Sequence, residues 1–387
     1  MSLKRVKVAL AAGATMASLA VVSVTGSSIG ASGASSVNWS TVQTLAKSGP
    51  TSMSALVAAA KKEGTLNVIA LPPNWANYGA MISTFQKKYG IKVNSENPNG
   101  SSQDEINAII ADKGRSTNPD VIDVGTNFAI SAQQKGLLAP YRVATWSHIP
   151  AALKQPQGYW FDDYGGFVAI GCNSAVVKKC PTSFAQMLKK GQGYKIGINN
   201  NPTASSSALA AVMAAAIANH GSLNNVKPGV DYFKQMNANG NFVATIAGPS
   251  TVQSGATNIV IWWDYLQASG INTLPGYAKK WKVVIPSDVS MAEYYTQAIN
   301  KSAPDPAAAR LWEEFLYSTQ GQNIWLQGMA RPVELAYMTV HHLANAKALA
   351  ALPPLPKGVV QYPTQAQITK AEAVVVANWP TEVTSGP

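Results

Sequence analysis

Cysteine, histidine and acidic residues are all scarce in this chain of 387 residues. It has two cysteines, four histidines, and 19 aspartates and glutamates against 30 lysines and arginines. Cys172 and Cys180 have seven residues between them, and His148, His220, His341 and His342 are distant from them in sequence. A structural zinc site gathers about four ligands, so no metal is expected. In an exported chain, a close even pair reads as one disulfide closing a small loop. Catalytic signatures are missing too. There is no H-E-x-x-H, no P-loop lysine and, beyond residue 34, no G-x-S-x-G elbow. A glycosidase needs only two carboxylates, so a secreted hydrolase stands as the alternative from another class. No internal repeat points to a structural or adhesive array. Past the N-terminus no apolar run is long enough to span a bilayer; the most apolar window, 208–218, is Ala-rich and reads as a buried helix.

What is present begins at the N-terminus. Lys4, Arg5 and Lys7 precede an apolar run, 8–22, and small residues then dominate 23–36. This is the layout of a secretory signal peptide, 1–34, with Ser32 and Ala34 suited to cleavage after Ala34. A retained anchor is the alternative, although spanning usually takes ~20 apolar residues. No cysteine lies near the cleavage zone, so a lipid anchor on Cys is not expected. The mature chain is expected to be exported, to periplasm or cell envelope. Three of the charges behind the net +11 sit in the leader, and the remaining basic pairs are scattered. Nucleic-acid binders concentrate basic residues on one face with aromatics between them, so no nucleic-acid partner is expected.

The mature length suggests two lobes. After a Ser/Thr/Gly-rich, flexible lead-in at 35–50, helix, strand, helix, strand, helix, strand follow over 52–124. That order implies βαβ units and a parallel sheet. Strand-like stretches at 167–171, 195–198, 258–262 and 281–285 form a second block around the Ala-rich helix. A further strand, 294–299, and helices at 306–318 and 321–328 return to the first. The expected division is 51–165 plus 291–387 for lobe 1 and 166–290 for lobe 2.

Several segments carry a family resemblance. Phe85-Gln86-Lys87-Lys88-Tyr89-Gly90-Ile91-Lys92-Val93 is similar to F-x-K-K-[TY]-G-I-K-V. Pro119-Asp120-Val121 matches P-D-V, and Gly136-Leu137-Leu138-Ala139-Pro140-Tyr141 matches G-L-L-x-P-Y. Residues 307–318, Gln322 and Arg331-Pro332-Val333 resemble A-A-x-x-W-x-x-F-L-x-S-x-x-G-Q…x-P-V. Together, in this order, they resemble the bacterial extracellular solute-binding proteins of ABC transporters, nearest the branch binding polyamines, ferric iron, thiamine and phosphonates. The resemblance implies an α/β, two-lobed periplasmic-binding-protein fold, each lobe a mostly parallel sheet flanked by helices, with two hinge crossings. It implies a monomer without cofactor or catalysis that closes on a small-molecule ligand and hands it to a membrane permease.

Ligand contacts are expected in loops after the strands. Asn74, Trp75 and Tyr78 would wall the cleft or cover the sheet end. Ser102 and Gln103 open a helix whose N–H groups suit an anion, with Ser102 and Glu105 readable as a capping box. Thr126 and Asn127 suit hydrogen bonding or a turn, and Tyr164 follows the acidic pair Asp162-Asp163. Thr203 and Ser205 open the Ala-rich helix as ligand contacts or caps. Trp263, Asp264 and Tyr265 form the most distinctive run, in which Asp264 between aromatics would receive an organic ammonium. The alternative is a buried Trp pair with Asp264 as a cap. Tyr294 stands at the return crossing. The aromatics and Asp264 favour a polyamine or similar cation. The helix starts favour a phosphonate or other anion, and the Trp pair replaces the adjacent tyrosines of ferric-iron relatives.

Overall fold

The computed structural model describes residues 37–271, 273–354 and 359–384; the expected signal peptide, 1–34, lies outside the described residues. Residues 37–50 are tied down rather than loose. Trp39 is buried, and the Arg310 guanidinium donates to the carbonyls of Ser40 and Val42.

Helix α1, Met53–Glu63, is capped by Ser52 and stops at Gly64, whose φ of 79° is the left-handed conformation glycine adopts most easily. The apolar run Thr65–Ile69 is strand β1, paired in parallel with β2, Lys92–Glu96, across helix α2, Tyr78–Tyr89. Helix α3, Ser102–Ala111, leads to β3, Val121–Gly125, and α4, Thr126–Gln134. The capping box of α3 sits one residue earlier than expected, on Ser101 and Asp104. Asp104 can reach back to the cap, and Glu105, one position on, turns inward and is buried.

A larger sheet carries the rest. Strand β4 is Leu138–Ala139, and β5, Phe161–Asn173, is buried along its whole length. After a short helix α5, Phe184–Met187, come β6, Ile196–Ile198, and the helices α6, Ser206–Ala218, and α7, Lys227–Ala238. Strands β7, Phe242–Ile246, β8, Ile259–Trp263, β9, Trp281–Val284, β10, Ala292–Asn300, and β11, Arg331–Pro332, complete it. The spatial order is β3-β10-β5-β8-β6-β7. The βαβ strands β6, β7 and β8 pair in parallel, whereas β5 and β10 run antiparallel to their neighbours. These two strands join the first block to the second.

Helix α6 is apolar all round and buried over 206–216, the environment an Ala-rich sequence requires. Cys172, late in β5, and Cys180 form a disulfide with Cα atoms 5.9 Å apart. The C-terminal helix, Gln365–Trp379, seats Trp379 on Phe233 and Phe242, and Glu372 accepts from Asn127 of α4. This helix therefore contacts elements on both sides of the chain's two crossings. No described helix is long and apolar enough to cross a membrane.

Candidate functional site

Strand ends and helix starts converge on a cleft of about 430 Å³. From the first block come Asn74 and Trp75 of the loop after β1, and Ser101, Ser102 and Glu105 at the start of α3. Asp123 of β3 lies at its floor. The second block supplies Asn199, Ser205 and Ser207 around the start of α6, Gly248 to Ser250, and Trp262 near the end of β8. Tyr295 of the β10 crossing lies between. Trp75 meets Trp262 and Tyr295 edge-on, at 5.7 and 5.6 Å between ring centroids, so three aromatics wall the space.

The two helix starts differ from each other. Helix α6 has no side chain capping its N–H groups. Its Ser205 and Ser207 hydroxyls lie 3.1 Å apart, and Ser207 is held reciprocally by Asn199. In α3, Ser101 and Asp104 satisfy each other, and Ser102 Oγ accepts from Gly125 N–H at 3.2 Å. The blocks touch here. A Cβ on Gly125 would fall 1.6 Å from Ser206 Oγ, and Ser206 donates to Asn127 at 3.1 Å.

Beneath the floor is a network of buried acids. Asp123 Oδ2 accepts from the hydroxyls of Tyr78 at 2.7 Å and Tyr164 at 2.9 Å, and Tyr164 in turn accepts from Trp75 Nε1. Glu105 accepts from the Asp123 N–H, and Gln297 donates to Asp163. Burial raises the Asp123 carboxyl to about 7, partly opposed by the two tyrosine hydroxyls, and pushes Glu105 well above the usual range. Elsewhere, burial raises Asp120, Asp162 and Glu293 to about 8 each. The folded chain therefore holds protons that the unfolded chain releases near its ordinary carboxylate values, 3.8 to 4.5. Stability should fall as pH rises from about 4 to about 8. Thermal unfolding is expected at a higher temperature at pH 5 than at pH 8; the reverse order would show these acids ionised in the fold.

The residues expected from sequence divide sharply. Asn74, Trp75, Ser102 and Ser205 line the cleft. Tyr78 and Tyr164 lie under it as fully buried supports of Asp123. Gln103 turns to Asn107 on its own helix, and Thr203 to Asn201 in its loop. Asn127 joins the blocks through Ser206 and Glu372. Thr126 and Tyr294 line a different cavity of about 500 Å³, with Asp162, Glu293 and Tyr362.

Trp263, Asp264 and Tyr265 do not line the cleft. All three are buried. Asp264 accepts from Arg331 Nη1 at 2.7 Å and from the Phe167 N–H at 2.9 Å. Burial lifts its carboxyl above the ordinary value, with Arg331 pulling the other way. The expected ammonium receptor is thus already paired inside the protein. Sequence reasoning missed Glu105, Asp123, Asn199, Ser207, Trp262 and Tyr295. An Asp inside the apolar run Val121-Ile122-Asp123-Val124 was a readable signal, since strand acids are rarely buried without a reason. Among the described residues, no three His, Cys, Asp or Glu side chains are grouped to hold a metal ion.

Two α/β blocks joined by long crossing strands, with a polar and aromatic cleft at the strand ends, are the architecture of the periplasmic binding proteins. AfuA from Actinobacillus pleuropneumoniae, solved with exogenous fructose-6-phosphate bound, aligns with a TM-score of 0.65 at 18% identity, over 83% of this chain and 99% of that one. AgtB from A. tumefacien R10, in complex with agropinic acid, gives 0.63 at 16%, over 83% and 99%. Iron-bound HitA from Pseudomonas aeruginosa gives 0.59 at 19%, over 81% and 97%. No curated protein sequence matches. The pattern of the bacterial extracellular solute-binding protein family matches residues 116–355, and the chain belongs to that family. Solute-binding proteins of ABC importers bind small ligands and interact with membrane permeases.

Proposed function

We propose that the protein, exported by its signal peptide, captures a small solute with an acidic head group and presents it to the permease of an ABC importer. Capture needs no catalysis. Residues 51–165 plus 291–387 act as one lobe and 166–290 as the other, and they close about β5 and β10.

One observation carries the choice of ligand: the starts of α3 and α6, one from each lobe, open into the same cleft. Helix N–H groups and the helix dipole favour a negative group there. Solved relatives of this fold with fructose-6-phosphate and agropinic acid bound are consistent with an acidic solute. Asp264, the acid that the sequence offered to a polyamine, is engaged by Arg331 and lies outside the cleft.

Bound ligand raises apparent stability by mass action. Thermal unfolding should therefore move upward with short carboxylates, phosphonates or sugar phosphates, and stay in place with putrescine or spermidine. Stabilisation by the polyamines, with none by the acids, would return the site to a cation.

A further inference from the structure

An acidic head group accounts for the helix starts but not for Asp123. Asp123 is only 6% exposed and lines the cleft. Its Oδ2 holds both tyrosine hydroxyls, while Oδ1 is buried with no hydrogen-bond partner. A buried acceptor left unpaired is costly, and among the described residues that wall this cleft no Lys, Arg or His could satisfy it. Glu105, the neighbouring acid, already accepts from the Asp123 backbone.

The charge balance of the walls points the same way. Two helix starts offer only partial positive charge, about half an elementary charge each, and Asp123 can offer a full negative one when it gives up the proton that burial favours. A dianion such as a phosphate would meet no cationic side chain. A molecule with one acidic and one protonated basic end would be balanced at both ends. The three aromatics also suit a cation next to a carboxylate, through the faces of their rings. Trp262 Nε1, buried and unpartnered, is a spare donor for the acidic end.

We infer that the solute is a zwitterion, a small amino acid whose carboxylate meets the starts of α3 and α6 and whose ammonium donates to Asp123 Oδ1. This rests on the acidic-head-group reading and goes further by naming the other end of the molecule. The carboxylate is the group both readings share; the ammonium is the new claim.

Matched probes separate the two. Calorimetric titration would compare β-alanine, γ-aminobutyrate and δ-aminovalerate with propionate, butyrate and valerate, with γ-hydroxybutyrate and with butylamine. The wild type should prefer an amino acid of one length over its des-amino, hydroxy and des-carboxy partners. For that amino acid, Asp123→Asn should weaken binding by roughly thirtyfold or more and erase its advantage over the des-amino acid. The wild-type series stands by itself if the variant fails to fold. Equal binding of an amino acid and its des-amino partner would overturn the zwitterion and leave the acidic-head-group reading in place. Tighter binding by the hydroxy acid would assign Asp123 to a hydroxyl and overturn it too. Binding of butylamine alone would overturn both readings, and binding of no probe in the series would overturn the zwitterion and leave the acidic-head-group reading to the phosphonates and sugar phosphates.

Discussion

Arg331→Met should destabilise the protein by about 3–5 kcal/mol, the usual result of stranding one member of a buried ion pair. Asp264 has no exposed surface, and Arg331 is 8% exposed. The guanidinium does three things at once: it donates to Asp264 at 2.7 Å, donates to the Pro353 carbonyl at 2.8 Å, and packs over the Phe167 ring. Methionine fills much of the same volume without the charge, so the loss is electrostatic rather than a cavity. Asp264 would then have to protonate, keeping the Phe167 and Tyr265 N–H groups but no charged partner. The double variant Arg331→Met with Asp264→Leu should recover a large part of the loss, because replacing both charges by apolar groups is often neutral or better. Urea unfolding of the two singles and the double measures this cycle. Solute affinity should barely respond to Arg331→Met. Unchanged stability with a large loss of affinity would mean that Asp264 serves the ligand after all.

The Arg331–Asp264 pair also marks where sequence reading stops. The βαβ order, the Gly64 and Gly90 helix stops and the Ala-rich buried helix follow from local periodicity and capping, and they are legible. The partner of Asp264 is not, because it lies 67 residues away and is brought near by the pairing of β11 with β5. Face assignment failed for a related reason. Adjacent strand residues point to opposite faces, so one residue of Trp262-Trp263 and one of Tyr294-Tyr295 had to face the cleft. Which one depends on register: Trp263 pairs with Val168 and Tyr295 with Gly125. Helix starts were easier. Ser102 and Ser205 were found because capping chemistry is local, even though the box of α3 closes on Ser101 and Asp104. Asp123 was visible as an acid in an apolar strand, but its role needs Tyr78 and Tyr164 beside it, and those come from other elements.

The most direct test of the account removes one backbone N–H from the cleft. Ser102 is the first residue of α3, and the preceding Ser101 has φ −93° and ψ 165°. Proline is tolerated at a first helical position, and an extended residue before it is compatible with the ring. Ser102→Pro therefore deletes an N–H offered to the solute while leaving the helix intact. Both Ser102→Pro and Ser102→Ala lose the hydroxyl that accepts from Gly125, so the difference between them isolates the N–H. A hydrogen bond to a charged group is worth about 1.5–3 kcal/mol, or roughly tenfold to a hundredfold in affinity. The titrant is whichever acidic probe binds the wild type most tightly, and the two variants are compared by calorimetry at matched stability. The account predicts that Ser102→Pro binds that acid at least about tenfold more weakly than Ser102→Ala. Equal affinity in the two variants would contradict it, because the helix start would then make no contact with the solute.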